Sequence, residues 1–152
     1  MASDYDCIPL TRELMNQLWP AFASIDAPFV DGGLLEAWLQ EHYMMELVDK
    51  WAMSHAVLIG KHVIGYRIVS GHGKRAGYAH SHRTAVDGPY RLQGYARLLL
   101  ENAQEVGAEL GYIGITGLRH PGNDSSLQFL MHTGWKFAGE YINGNELWTL
   151  DF

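Results

Sequence analysis

A single cysteine, Cys7, stands in 152 residues, which excludes an internal disulfide framework and any multi-cysteine zinc site. It fits a reducing compartment, and a cytoplasmic protein is expected. No apolar run approaches the ~18 residues that a membrane-spanning helix needs. The stretch Met1-Ala2-Ser3-Asp4-Tyr5-Asp6 carries acids where a secretory signal would carry a basic and then an apolar run, so no export signal is expected. Basic residues are scarce: 11 Lys and Arg against 17 Asp and Glu give a net charge of −6, which argues against a surface that holds phosphate backbones. Neither nucleic acid nor a membrane is an expected partner. The Gly-x-Ser-x-Gly elbow, the Walker phosphate loop and the His-Glu-x-x-His zinc helix are all missing, which removes most support from hydrolase and nucleotide triphosphatase readings. What the chain does have is 47% hydrophobic residues, enough for a sizeable core and incompatible with a disordered profile. With no repeat, linker or low-complexity tract, residues 1–152 read as one domain.

Apolar spacing predicts a short strand over residues 7–10 and helices over residues 11–19 and 34–43, separated by a loop over residues 24–33 that contains Pro28 and paired glycines. From His55 the period becomes strand-like, with strands over 56–59, 62–70 and 76–86 joined by turn-rich segments, an antiparallel meander. Gly71-His72-Gly73-Lys74-Arg75-Ala76 formally matches a dinucleotide fingerprint, but a strand pattern follows it where a helix is required, so it reads as a hairpin turn. A helix over 94–109, a strand over 112–116, a helix over 124–133 and strands over 135–141 and 146–151 complete an α+β order.

The segment Val86-Asp87-Gly88-Pro89-Tyr90-Arg91-Leu92-Gln93-Gly94-Tyr95-Ala96-Arg97 joins a strand to a helix that has no acid in its first turn. Free amides there suit an anion. From Lys74 to Arg97 five basic residues face one acid, a local +4 in an acidic chain. A plain strand-to-helix turn with solvated arginines explains the same spacing equally well.

Two motifs carry a resemblance. Arg91-Leu92-Gln93-Gly94-Tyr95-Ala96 resembles the Arg/Gln-x-x-Gly-x-Gly/Ala motif of the GNAT-type N-acetyltransferase superfamily, and Asn123 to Trp135 resembles its Asn-x-x-Ala helix followed by Gly-Phe. The resemblance implies a mixed, mostly antiparallel sheet of about seven strands flanked by about four helices. It also implies acetyl-CoA as cosubstrate, without a metal. The pyrophosphate would lie on backbone amides of Arg91, Leu92, Gln93, Gly94, Tyr95, Ala96 and Arg97. The pantetheine arm would run along Thr84, Ala85 and Val86, with Asn123 at the position of the family's pantetheine-contacting asparagine. The acceptor would be a small-molecule or peptide amine, and the oligomeric state, a homodimer included, stays open.

His80 and His82, two apart on a strand, are expected to face one side together with Tyr78 and Thr84. Three readings of the pair compete: a general base, metal ligands lacking a third partner, or ordinary strand residues. Ala79 to Val86 is similar to the fourth strand of arylalkylamine N-acetyltransferases, where such a pair relays the proton. One departure stands out: the family's tyrosine, thought to protonate the leaving thiolate, is replaced by Leu130. Ser126, Tyr90, Tyr112 and Tyr141 are the candidate replacements, and His132 projects the wrong way. A silent acyl-CoA-binding module and a metalloenzyme outside the family are the rival readings. Finally, the first 50 residues carry nine acids against Arg12 and Lys50, a net of −7, and in the family this half walls the acceptor cleft. An acidic wall would favour a cationic amine, with Asp26, Phe29 and Asp31 as acceptor contacts, unless it is merely a solvated surface.

Overall fold

The computed structural model describes residues 4–152, so the first three residues of the stretch read for an export signal lie outside the described residues. β1 (Asp6–Pro9) leads into α1 (Arg12–Asp31) and two short helices, α2 (Gln40–Met44) and α3 (Lys50–Met53). β2 (His55–Ile59), β3 (His62–Ser70) and β4 (Tyr78–Val86) form the expected antiparallel meander. Then come α4 (Tyr95–Glu109), β5 (Gly114–Arg119), α5 (Asp124–His132), β6 (Lys136–Glu140) and β7 (Glu146–Asp151). The seven strands make one sheet in the order β1-β2-β3-β4-β5-β7-β6, antiparallel except between β4 and β5. This is the expected α+β architecture, with five helices where about four were anticipated.

Helices cover both faces. Met15, Phe22 and Ile25 of α1 and Tyr43 of α2 pack on Tyr66, Ile68 and Ala85, with the Phe22 and Tyr66 rings stacked 4.2 Å apart. On the other face α4 places Leu99 against Val57, Ile64 and Val86, while its Leu100 and Ala103 join Leu130 of α5 against Val69, Ala79 and Ile115. Burial of this apolar area at roughly 25 cal/mol per Å² supplies the main driving force.

The first half departs from the sequence reading. α1 starts where expected, with Thr11 Oγ1 accepting from Leu14 N at 3.1 Å, but runs through Pro20 and Pro28 to Asp31, so most of the predicted loop is helix. Both prolines are exposed, and the carbonyls they deprive of a donor belong to Asn16 and Ser24, also exposed, so solvent is available to them. Burial of the opposite face does the rest. The predicted helix over 34–43 exists only from Gln40, because residues 34–39 satisfy their apolar pattern by wrapping over β4: the Trp38 ring lies 4.2 Å from the Arg83 guanidinium, and the Glu36 carbonyl accepts from Arg83 Nη2. β4 begins at Tyr78, and β5 spans Gly114–Arg119, later than predicted.

Candidate functional site

β4 and β5 pair only from Tyr78↔Gly114 to Ser81↔Gly117 and then splay apart. Beyond Ser81, the β5-facing edge of β4 has no strand partner. The opening is a cleft of about 780 Å³, within the range of small-molecule sites. Ser81, His82, Arg83, Thr84, Ala85 and Val86 form one wall; Gly117, Leu118, Arg119 and His120 form the other. α5 adds Ser126, Phe129 and Leu130, and the start of α4 adds Arg91, Leu92, Gly94, Tyr95, Ala96 and Arg97.

That helix start has the features of an anion seat. Gly94 is the cap residue with φ 94°, a left-handed conformation that glycine tolerates without penalty, and no side chain caps the helix. No acid occupies the first turn, and Arg91 and Arg97 stand beside it. The amides of this side-chain-uncapped turn and the helix dipole therefore direct positive potential into the cleft. Gln93 lies off the cleft, with its side-chain amide donating to the Pro89 carbonyl at 3.2 Å. Asn123 lines the cleft and also caps α5, its Oδ1 accepting from Ser126 N at 3.1 Å.

A bulge in β4 corrects the expectation that Tyr78, His80, His82 and Thr84 share one face. The β3–β4 register shifts between Ile68 and Val69, pairing them with Arg83 and Ser81 and leaving His82 as the extra residue. Ala79 packs on the α4 and α5 side, whereas Ala85 packs on the α1 side and Arg83 reaches Asp26 of α1. Alternation is thus reversed across His82, and Thr84 falls on the face opposite His80.

The two imidazoles remain neighbours, edge to face, with centroids 4.9 Å apart. They are not equivalent. His82 lines the cleft and is exposed there, whereas His80 is buried behind it and does not line it. Thr116 Oγ1 donates to the Ala79 carbonyl and accepts from Lys74 N, so its remaining lone pair takes a proton donated by His80 Nδ1 at 2.8 Å. This assigns the lone pair of His80 to Nε2. His82 Nε2 meets Ser70 Oγ at 2.6 Å. Desolvation, followed by the charges of neighbouring groups, pushes His80 down to about 3 and His82 down to about 4. The cleft walls restrict solvation of His82 even though its surface is accessible from the cleft. Both imidazoles are neutral at neutral pH.

The acidic acceptor wall is not realised. The cleft is lined by Arg67, Arg83, Arg91, Arg97 and Arg119 and by His82, His120 and His132; no Asp or Glu lines it among the described residues. Asp26 is 2% exposed and is a structural counter-ion: Tyr43 and Tyr66 each donate to it at 2.5 Å, and Arg83 pairs with it at 3.3 Å. Asp31 ends α1 on an exposed surface away from the cleft. Only Phe29 of the three expected acceptor contacts lines the cleft, with the Arg91 guanidinium 5.3 Å from its ring. Leu130 is buried at the cleft wall and supplies no acid. Of the replacement hydroxyls, Ser126 and Tyr90 line the cleft, while Tyr112 donates to Asp49 at 2.6 Å and Tyr141 lies under the Lys74 ammonium.

Sequence reasoning missed Arg67, Leu34, Leu35, Phe129 and Trp135. Arg67 had a usable signal, since it is the lone charge in the apolar run of β3, between Tyr66 and Ile68. Trp135 and Arg67 each have a buried nitrogen, Nε1 and Nε respectively, without a hydrogen-bond partner. No group of three or more His, Cys, Asp or Glu placed to hold a metal occurs among the described residues, and none of their helices is long and apolar enough to cross a membrane.

Comparison with curated proteins gives no match. Among solved structures, the PaiA N-acetyltransferase from Thermoplasma acidophilum aligns over 100% of both chains at 15% identity and a TM-score of 0.77. The ribosomal-protein-S18-alanine N-acetyltransferase from Escherichia coli aligns over 97% of this chain and 93% of its own at 15% identity and a TM-score of 0.73. Ard1 from Thermoplasma volcanium aligns over 97% of both chains at 15% identity and a TM-score of 0.74. At such identities these likenesses speak to the fold. The sequence profile of the acetyltransferase (GNAT) family matches residues 11–135, most of the chain, and with the splayed β4–β5 pair and the uncapped α4 start it places the protein in the GNAT acetyltransferase family.

Proposed function

We propose that the protein transfers an acetyl group from acetyl-CoA to an amine acceptor. The observation that carries the reading is the α4 start at Gly94, uncapped by any side chain, opening with Arg91 and Arg97 into a cleft that no acid lines among the described residues. The likeness to a neighbour solved in complex with coenzyme A supports it. Bound there, the cosubstrate supplies the activated acetyl thioester. Amides of Leu92, Gln93, Gly94, Tyr95 and Ala96 suit its pyrophosphate, and the unpaired β4 edge at Thr84, Ala85 and Val86 offers backbone groups to the amide-bearing arm and to the developing oxyanion. Asn123 closes the opposite wall.

His82 stands where the acceptor nitrogen sheds its proton. With its basicity depressed to about 4, the imidazole accepts that proton only in transit, so His82 acts as a relay to solvent and not as a store. His80 is a positioning residue, oriented by Thr116 and packed edge to face against His82. Of the hydroxyls expected to replace the missing tyrosine, Ser126 and Tyr90 line the cleft and serve the leaving thiolate. The rival reading, an acyl-CoA-binding module without turnover, rests on Leu130 alone.

Acetyl-CoA is expected to stabilise the fold by about 2.7 kcal/mol at ~100 times its dissociation constant, roughly 5–10 °C in a chain of this size. An unchanged melting curve at millimolar acetyl-CoA rejects the site. Gly94→Val, which is strained at φ 94° and blocks close approach of the phosphates, should remove the shift while leaving the circular dichroism spectrum native. Release of free thiol with an amine panel separates turnover from binding alone.

A further inference from the structure

Every arginine of the cleft but one has an evident role. Arg83 pairs with Asp26 at 3.3 Å and Arg119 with Glu146 at 2.6 Å, while Arg91 and Arg97 are exposed beside the α4 start. Arg67 is different. It is 4% exposed, lies in the middle of β3 and lines the cleft, yet no carboxylate among the described residues comes within ion-pair distance. Its Nη1 donates to Ser81 Oγ at 2.9 Å, its Nε has no acceptor, and Phe129 places its ring 6.0 Å from the guanidinium carbon. Burial alone lowers it to about 10, with no acid acting in the other direction. An enclosed cation without a counter-charge destabilises the ligand-free protein, which makes its placement in a cleft wall informative. Trp135 Nε1, the other buried side-chain nitrogen without an acceptor among the described residues, lines the same cleft. Both orphans are donors. The cleft wall of the ligand-free protein therefore holds a buried cation that no carboxylate among the described residues balances.

We propose that Arg67 and Ser81 form the seat of a carboxylate carried by one of the two substrates. The inference rests on the acetyl-transfer reading of the same cleft. A carboxylate matches the planar guanidinium fork and neutralises its charge, which a neutral carbonyl of the pantetheine arm does not. The phosphates have their own exposed seat at α4. Ser81 immediately precedes His82, their Cα atoms ~3.8 Å apart, so the carboxylate belongs within a few bonds of the reacting centre. Two sources have this chemistry: an amino-acid acceptor with its carboxylate close to its amine, or a short dicarboxylic acyl group on the thioester.

The test uses the intact chain in two arms. In the acceptor arm, thiol release from acetyl-CoA is compared between amino acids and their amides. In the donor arm, the affinities of succinyl-CoA and acetyl-CoA are compared. One arm is expected to show a preference of ~10- to 100-fold for the carboxylate, the range of a charge-assisted hydrogen bond, and Arg67→Met should collapse that ratio to about one. The Met variant should also melt higher than the parent without ligand, since it removes an uncompensated buried charge. Arg67→Lys, which keeps the charge and loses the fork, should reduce the ratio several-fold and serves if the Met variant does not fold. No preference in either arm, or a preference that survives both substitutions, overturns the proposal. Acetyl-CoA should shift the melting curve of the parent in every case, so a missing shift indicts the cofactor site instead.

Discussion

Replacing His82 and His80 together with Gln is expected to lower kcat/KM for the true acceptor by ~10²- to 10⁴-fold, the usual contribution of a positioned proton acceptor. His82→Gln alone should account for most of the loss, because only His82 lines the cleft. Acetyl-CoA affinity should change little, since its proposed contacts are backbone groups of other residues. With His82 down at about 4, an imidazole limb in the pH profile belongs near pH 4; the rise through neutral pH follows the acceptor's own ionisation and should persist, at lower amplitude, in the variant. A folded double variant with near-native turnover would falsify the relay. Stability offers a second readout. Both imidazoles, and buried His55 with them, bind a proton less well folded than unfolded, so the unfolded chain takes up more protons below about pH 6.5. Their contribution is therefore complete above about pH 6.5 and is lost as pH falls toward 4 and then 3. The double Gln variant should show a shallower fall of Tm across that window.

The other large effect is expected at Asp26. Asp26→Ala leaves the Arg83 guanidinium buried without its partner and strands the hydroxyls of Tyr43 and Tyr66, a loss of about 3–5 kcal/mol. At roughly 2–4 °C per kcal/mol for a chain of this length, Tm should fall by about 6–20 °C. The same cluster anchors residues 34–39 over β4 through Trp38 and the Glu36 carbonyl, so the cleft wall formed by Leu34 and Leu35 should loosen as well. Combining Asp26→Leu with Arg83→Met removes both charges and should recover much of the loss. A single variant with unchanged Tm would show that the ion pair contributes nothing net.

Much of the site was legible because its signals are local. The glycine and missing acid at the start of α4 are statements about one turn of chain, and a helix start without a cap has the same amides in any fold. The strands from β2 to β4 follow from period-two alternation and turn composition in the same way. His80 and His82 as neighbours were likewise visible from spacing alone, whereas Asn123 beside the cleft and Leu130 in place of a tyrosine came only from the resemblance to the family. The GNAT resemblance joined these fragments into an expectation of the whole.

Tertiary structure decided the rest, wherever a residue's partner lies far along the chain. Pro28 and its neighbouring glycines signal a loop, but α1 continues to Asp31 because Phe22, Ile25 and Asp26 are held from β3 and β4. Asp26, an acid in an acidic stretch, became a buried counter-ion only because Arg83 arrives 57 positions later. The bulge at His82 reverses the faces of β4 through its register with β3, which alternation within one strand does not reveal. The sequence thus determined the chemistry available at each position, through spacing and local backbone preference. Which charges met, which stayed unpaired as Arg67 did, and which imidazole faced the cleft were decided by long-range packing, because burial and pairing depend on neighbours that no local window contains.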